Sequence, residues 1–176
     1  MKFGKLYFVP VESHFELVAA PTQNLITKLG LQDVQVSVID ENLADTAAFC
    51  EHYEIGLDVS ANCVIVEAKR GDNMWYAACI ILATTRTDVN GIVRRHLDAR
   101  KISFAPMDTA TSLTIMMYGG ITPIGLPSDW SIIVDVRVNN TEKVIIGSGL
   151  RKSKILVPGK LLASLPNATV LDIVKK

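Results

Sequence analysis

The sequence predicts a single α/β domain of the α+β type, with a mixed, curled, barrel-like sheet flanked by short helices. Three observations lead there. Apolar runs rich in β-branched residues outnumber the helical ones and do not alternate with them as a parallel βαβ sheet requires. The chain has 176 residues, 49% of them hydrophobic, which fits one domain that can bury a core without staples. No repeat, low-complexity tract or linker divides residues 1–176.

Taken in order, Leu6 to Val11 is apolar but interrupted by Pro10, which fits an edge strand or an extended arm. From Phe15 to Leu29 apolar residues recur at helical spacing, Pro21 forces a break or restart, and Gly30 stops the helix. Val34 to Val38 alternates with period two, as a half-buried strand does. Asp45 or Thr46 is placed to cap a short helix over Ala47–Tyr53, ended by Gly56. Cys63–Val66 and Met74–Ala83 read as a hairpin turning at Gly71-Asp72-Asn73, its second strand apolar enough to be buried on both faces. Asp88 to Leu97 reads as a helix with Val89, Ile92, Val93 and Leu97 inward, followed by a short strand near Ile102–Phe104. Asp108 or Thr109 then caps another helix. Ile132–Val138 and Lys143–Ile146, joined by Asn139-Asn140, read as a second hairpin. Ile155–Val157 is a further strand, Gly159–Leu165 a short helix, and Val170–Ile173 a last strand or extended end.

Composition narrows the function classes. Cys50, Cys63 and Cys79 are odd in number and lack C-x-x-C spacing, which argues against a disulfide framework or structural zinc and for a reducing, cytoplasmic compartment. The N-terminal apolar run is cut by Glu12 and His14 and is not a secretory signal. The uncharged stretch from Thr109 to Ser128 is nearly long enough to span a bilayer, but its glycines and prolines forbid a simple spanning helix. No metal-ligand cluster, P-loop or dinucleotide fingerprint is visible, so neither metal nor cofactor is expected. The formal net charge is zero, yet residues 1–93 carry 6 Lys+Arg against 12 Asp+Glu, and residues 94–176 carry 12 against 6. Such separation allows an anion-binding face without a basic pI. Positive charge gathers at Arg94-Arg95 with Arg100-Lys101, and at Arg151-Lys152 with Lys154.

The most informative stretch is Tyr118-Gly119-Gly120-Ile121-Thr122-Pro123-Ile124-Gly125-Leu126-Pro127. Glycine allows positive φ and close approach, and proline fixes φ and donates nothing. Alternating them makes a rigid, irregular loop whose peptide groups point where no helix or strand would aim them. The loop is either a tight, partly buried connector or a binding element held by a scaffold.

That loop, followed by Val134-Asp135 and then by Gly147-Ser148-Gly149-Leu150-Arg151 and Lys154-Ile155, resembles the YbaK/EbsC family in order and spacing. These are aminoacyl-tRNA editing domains related to the insertion domain of bacterial prolyl-tRNA synthetases. The resemblance covers about residues 45–174 and leaves 1–44 as an N-terminal helix and strand extension. It implies a barrel-like mixed sheet and hydrolysis of the ester of mischarged aminoacyl-tRNA, here by a free-standing protein. It also implies a tRNA acceptor end as partner, no membrane, and a homodimer as one quaternary state open to it.

By resemblance, the backbone of Gly119, Gly120, Ile121, Thr122 and Pro123 carries the catalysis, set against the ester and the 3′-terminal adenosine. Preorganised N–H groups there stabilise the oxyanion of the tetrahedral intermediate. Cys63, Gly125, Asp135, Gly147, Ser148 and Gly149 are the candidate substrate-binding residues, and Arg151, Lys152 and Lys154 the candidate tRNA contacts. Asp135 lies inside an apolar strand. It is either satisfied by nearby backbone N–H groups or touches the adenosine or amino group.

Two positions depart from the family. Relatives carry a lysine where this chain has Cys63; Lys69, Arg151 and Lys154 are the cations that could supply the charge from another direction. A buried, inert Cys63 is expected rather than a nucleophile, because no histidine pairs with it in the sequence. Ile115 stands where relatives often have glycine, which suggests a narrower pocket. Besides the deacylase, a catalytically silent module that binds a nucleotide, an aminoacyl group or a protein is compatible with the loss of the lysine.

Overall fold

In the computed structural model, which describes residues 1–176, eleven strands are shared among three sheets and joined by six helices. Strands β1 (Lys2–Phe3) and β2 (Leu6–Tyr7) form a small antiparallel ribbon, and β3 (Val9–Pro10) is an edge strand. Helix α1 (Ala20–Leu29) starts with Pro21 in its first turn, where a missing N–H costs nothing, and ends on Gly30 at φ 60°. Strand β4 (Gln35–Val38) and helix α2 (Thr46–Tyr53) follow, and Glu54 rather than Gly56 takes the left-handed position after α2, with φ 55°.

The long hairpin is present: β5 (Ala61–Arg70) pairs antiparallel with β6 (Asn73–Leu82) around Gly71 at φ 59°. Asp88–Leu97 is not a regular α-helix. The Asp88 carboxylate accepts the Gly91 and Ile92 N–H groups, which opens a wide turn over Val89–Val93 before the short α3 (Arg94–His96). Strand β7 (Lys101–Phe104) flanks β5, and helix α4 (Met107–Thr114) leads into the glycine-proline loop.

The expected second hairpin does not form. Strand β8 (Ser131–Asp135) runs parallel to β6, and its last residue caps helix α5 (Val136–Asn139) by accepting the Arg137 N–H at 3.0 Å. The β-branched pattern there fits a strand on either partner; capping by Asp135 sends the chain away from a turn. Strands β9 (Val144–Gly147) and β10 (Ser153–Val157) then pair in the other sheet, and α6 (Gly159–Ala163) leads to β11 (Ala168–Leu171), parallel to β8.

The large sheets have the orders β3-β4-β10-β9 and β11-β8-β6-β5-β7, and they touch through a bridge between Ser60 and Ile145. Their facing sides build the main core, with Ile65, Ile80 and Val134 from one and Val36, Ile146 and Ile155 from the other, under Ile26 of α1. The far face of the five-stranded sheet packs Cys79 and Ile133 on Val89, Val93 and Ile173. The far face of the four-stranded sheet packs Ile145 and Leu156 on Phe8, Phe49 and Cys50. Successive residues of each strand therefore serve different cores, which fixes its register.

Candidate active site

A cleft of about 260 Å³ opens where the start of β5, the end of β9 and the N-terminus of α2 meet the glycine-proline loop. That volume is near the low end for small-molecule sites. The loop is held against the second glycine cluster by backbone: Gly149 donates to Gly120 O at 2.6 Å, and Met117 donates to Gly149 O at 2.8 Å. Close approach explains the glycine at 147. A Cβ there would lie 2.5 Å from Gly120 O and 2.8 Å from Ile121 O. A Cβ at Gly120 would lie 2.5 Å from Leu150 O, so this pair of segments has room for hydrogen only.

Within the loop, Gly120 N–H is used by Met117 O and Thr122 N–H points at the Met116 sulfur at 3.4 Å. Gly119 and Ile121 line the cleft, and their N–H groups donate to no atom of the protein. They are free for an incoming oxygen. Of the residues singled out from the sequence, Gly119, Ile121, Cys63, Gly147, Arg151 and Lys154 meet in this cleft.

The others are placed elsewhere, for visible reasons. Thr122 and Pro123 are buried beneath the loop, and Gly125, at φ 104°, lets the chain press on the backbone of Pro21. Ser148 is fully buried and shares its hydroxyl with Ser153 at 2.7 Å, while Gly149 at φ 84° packs on Ala19. Asp135 is fully buried on the side of β8 that continues from Ile133, whereas Cys63 continues the opposite side of the sheet with Ala61 and Ile65. Its carboxylate accepts from Arg137 N and Ile173 N, and an ion pair with Arg137 at 3.2 Å completes its coordination. It serves the fold there, not the cleft. Lys152 is exposed, and Lys69 is paired with Glu67 at 2.9 Å, so neither enters.

Ile115 does not narrow the cleft. It is the left-handed residue that ends α4, with φ 56°, and is 73% exposed. Glycine suits that position because of its backbone, not because of pocket size.

The electrostatics are uneven. Arg151 spans the mouth, giving one guanidinium N–H to Tyr118 O and another to Glu41 O, both at 2.9 Å, with its plane over the Tyr118 ring. Lys154, on β10 opposite Gly147, is buried to 8% exposure, and burial pushes its ammonium down to about 8. Burial acts oppositely on the half-buried Cys63, whose thiol is pushed far above its ordinary range, with Cys79 adding to the effect. No base contacts its sulfur, and a thiol disfavoured as a thiolate is a poor nucleophile.

Three further cleft residues were not legible as ligands in the sequence: Asp45, Thr46 and Asn62. Thr46 Oγ donates to Asn62 Oδ1 at 2.7 Å, which leaves the Asn62 amide donors free, and Asp45 makes no side-chain cap to α2. Asp45 and Thr46 carry the signature of a helix cap, and that signature hid their other possible use. No group of three His, Cys, Asp or Glu side chains is placed to hold a metal ion, and no helix is long and apolar enough to cross a membrane.

Comparison with known proteins decides the family. The model of the aminoacyl-tRNA editing domain matches residues 40–165. The chain belongs to that family. The match includes the cleft, the glycine-proline loop and both glycine clusters of this editing domain. No curated protein sequence matches the chain. Among solved structures, the editing domain is similar to a proposed trans-editing enzyme for prolyl tRNA synthetase, with 15% identity, TM-score 0.76, and 89% and 96% of the two chains covered. It is similar to hypothetical protein APE2540 at 19% identity and TM-score 0.77, over 88% and 99% of the chains. A proposed signal transduction protein from Marinobacter aquaeolei VT8 contains the same fold within 30% of its chain, at 15% identity and TM-score 0.57, against 89% of this one. At these identities the structures share the mixed α/β fold.

Proposed function

We propose that this editing domain hydrolyses the ester bond of mischarged aminoacyl-tRNA, acting on the acceptor end in trans. The observation that carries the reading is the cleft itself, lined by two loop residues whose peptide N–H groups are unpaired and by two cations that have no carboxylate salt bridge. An ester carbonyl that becomes tetrahedral needs donors already in place, and a nucleotide arriving with it needs positive charge. Gly119 and Ile121 provide the donors. Arg151 at the mouth, with exposed Lys152 beside it, meets the phosphate of the terminal nucleotide. The relative described as a trans-editing enzyme has the same fold over nearly its whole length, which supports the substrate class.

Water is the nucleophile in this reading, because Cys63 is held as a neutral thiol. The thiol fills part of the space that a lysine stem occupies in relatives and so shapes the acyl subsite. The substrate is a cytoplasmic one, and the three free thiols suit that compartment. Every residue named in this reading comes from one chain, so it does not depend on a homodimer. The loss of the lysine at 63 keeps one other reading in play, a silent module that binds the acceptor end without cleaving it. Deacylation of purified mischarged tRNAs separates the two. Hydrolysis of at least one above the uncatalysed rate is expected, and binding without hydrolysis across the panel would establish the silent module.

A further inference from the structure

Lys154 is the least accessible charge in the cleft, and its contacts do not account for it. Its Nζ donates to Ala44 O at 3.0 Å and sits 5.2 Å from the centre of the Phe49 ring. No carboxylate lies within ion-pair distance, and no other protein atom accepts from its remaining two N–H groups. An ammonium buried with one carbonyl partner is an expensive way to fill space that a methionine could fill. A second fact joins it: Gly119 and Ile121 line the same cavity, and their N–H groups are also unused. Arg151 is committed at the mouth to two carbonyls, so it cannot reach inward without releasing the loop.

We infer that the Lys154 ammonium is a catalytic residue of the deacylase, touching the carbonyl oxygen of the aminoacyl ester together with the Gly119 and Ile121 N–H groups. The inference rests on the proposed deacylase reading and assigns a charge to the acyl end, where the sequence offered Lys154 as a tRNA contact and as one of three cations that could replace the lysine missing at 63. In the step, water oxygen bonds to the ester carbon and the carbonyl π pair moves onto the oxygen, where the three donors stabilise it. The pair then returns, the bond from carbon to the ribose oxygen breaks, and the ribose oxygen takes up a proton. The amino acid leaves as a carboxylate, and one proton passes to solvent. Only the protonated amine can serve. The groups facing it are Asp45 and Cys50, which favour the charged form, Arg151, which opposes it, and the neutral Cys63 across the cleft. Catalysis above the uncatalysed ester hydrolysis therefore falls as pH rises through about 8.

The test uses the whole protein, a mischarged tRNA that it cleaves, and a non-hydrolysable 3′-aminoacylamido adenosine monophosphate for binding. Lys154→Met is expected to lower the single-turnover rate roughly a hundredfold, the scale of one lost oxyanion donor, without lowering the thermal midpoint. Lys154→Gln, which keeps a donor for Ala44 O, should lose the rate as well. Lys154→Arg should regain part of the rate and lose the alkaline decline, because guanidinium does not titrate there. Wild-type rate in the Met and Gln variants, or an alkaline decline that persists in the Arg variant, overturns the inference and leaves the deacylase reading standing. If wild-type protein neither cleaves any mischarged tRNA nor binds the analogue, that reading falls and takes the inference with it.

Discussion

Replacing Lys154 by methionine should make the protein more stable at neutral pH, and the amount can be worked from the site. A lysine moved from an ordinary value of 10.5 to about 8 is shifted by roughly 2.5 units, which at ~1.4 kcal/mol per unit is a folding cost of about 3 kcal/mol for the charged form. The sign follows from proton counting. Below pH 8 both folded and unfolded chains hold the proton, and the full cost applies. Between 8 and 10.5 only the unfolded chain holds it, so stability rises with pH; above 10.5 neither does. Methionine has similar volume and removes the cost, but it leaves Ala44 O without its partner, a loss of about 1 kcal/mol. The net expectation at pH 7 is a gain near 2 kcal/mol. Urea unfolding at several pH values from 7 to 10 measures it, and the difference between wild type and variant cancels the other titrating groups. The gain should shrink steadily above pH 8. A variant that is less stable at pH 7, or a difference that does not change with pH, would refute the reasoning and make Lys154 a structural donor.

Other perturbations have separate outcomes. Ile115→Gly relieves a β-branched residue at φ 56° whose side chain is exposed, so it should stabilise by about 1 kcal/mol in the same unfolding assay and leave cleft binding unchanged. Asp135→Ala leaves the Arg137 and Ile173 N–H groups without an acceptor and should cost about 2–4 kcal/mol, with unaltered affinity for the aminoacyl analogue in whatever fraction remains folded. Cys63→Ser should keep the deacylation rate within about tenfold, or ~1.4 kcal/mol in barrier, and wild-type Cys63 should resist alkylation at pH 8 because burial holds it as a thiol. A covalent acyl adduct on Cys63 would contradict that. Charge reversal at Arg151 and Lys152 should weaken tRNA binding and flatten its salt dependence, as expected when phosphate contacts are lost.

The sequence showed the scaffold where local chemistry and tertiary fate agreed. Gly71 turned the long hairpin, Gly30 ended α1, and the alternation of Gln35–Val38 became a strand between two others. It misled where one residue type serves two ends. Asp135 in an apolar run looked like a strand interior, yet it ends β8 and caps α5, so the hairpin dissolved; of the two uses open to its carboxylate, acceptance from backbone N–H groups is the one found. The glycine-proline loop was legible because glycine and proline report backbone shape directly. Which of its peptide groups stayed free was not, since that depends on Gly149 and Met117 taking up some and leaving Gly119 and Ile121. Lys154 was visible as part of a basic run and as one of three cations that could replace the missing lysine, but not as a buried one. Its burial follows from strand alternation on β10, which sends it with Leu156 toward Phe49, and no composition signal carries that information.

In the proposed complex the acyl ester lies between the glycine-proline loop and β10. Amide NMR mapping of the wild-type protein with the non-hydrolysable 3′-aminoacylamido adenosine monophosphate tests it most directly. Saturable shifts centred on Gly119, Ile121, Asn62, Cys63 and Lys154 are expected, with Arg151 responding to the phosphate. Shifts confined to the basic edge around Arg94, Arg100 and Lys101, with the cleft residues unmoved, would contradict it.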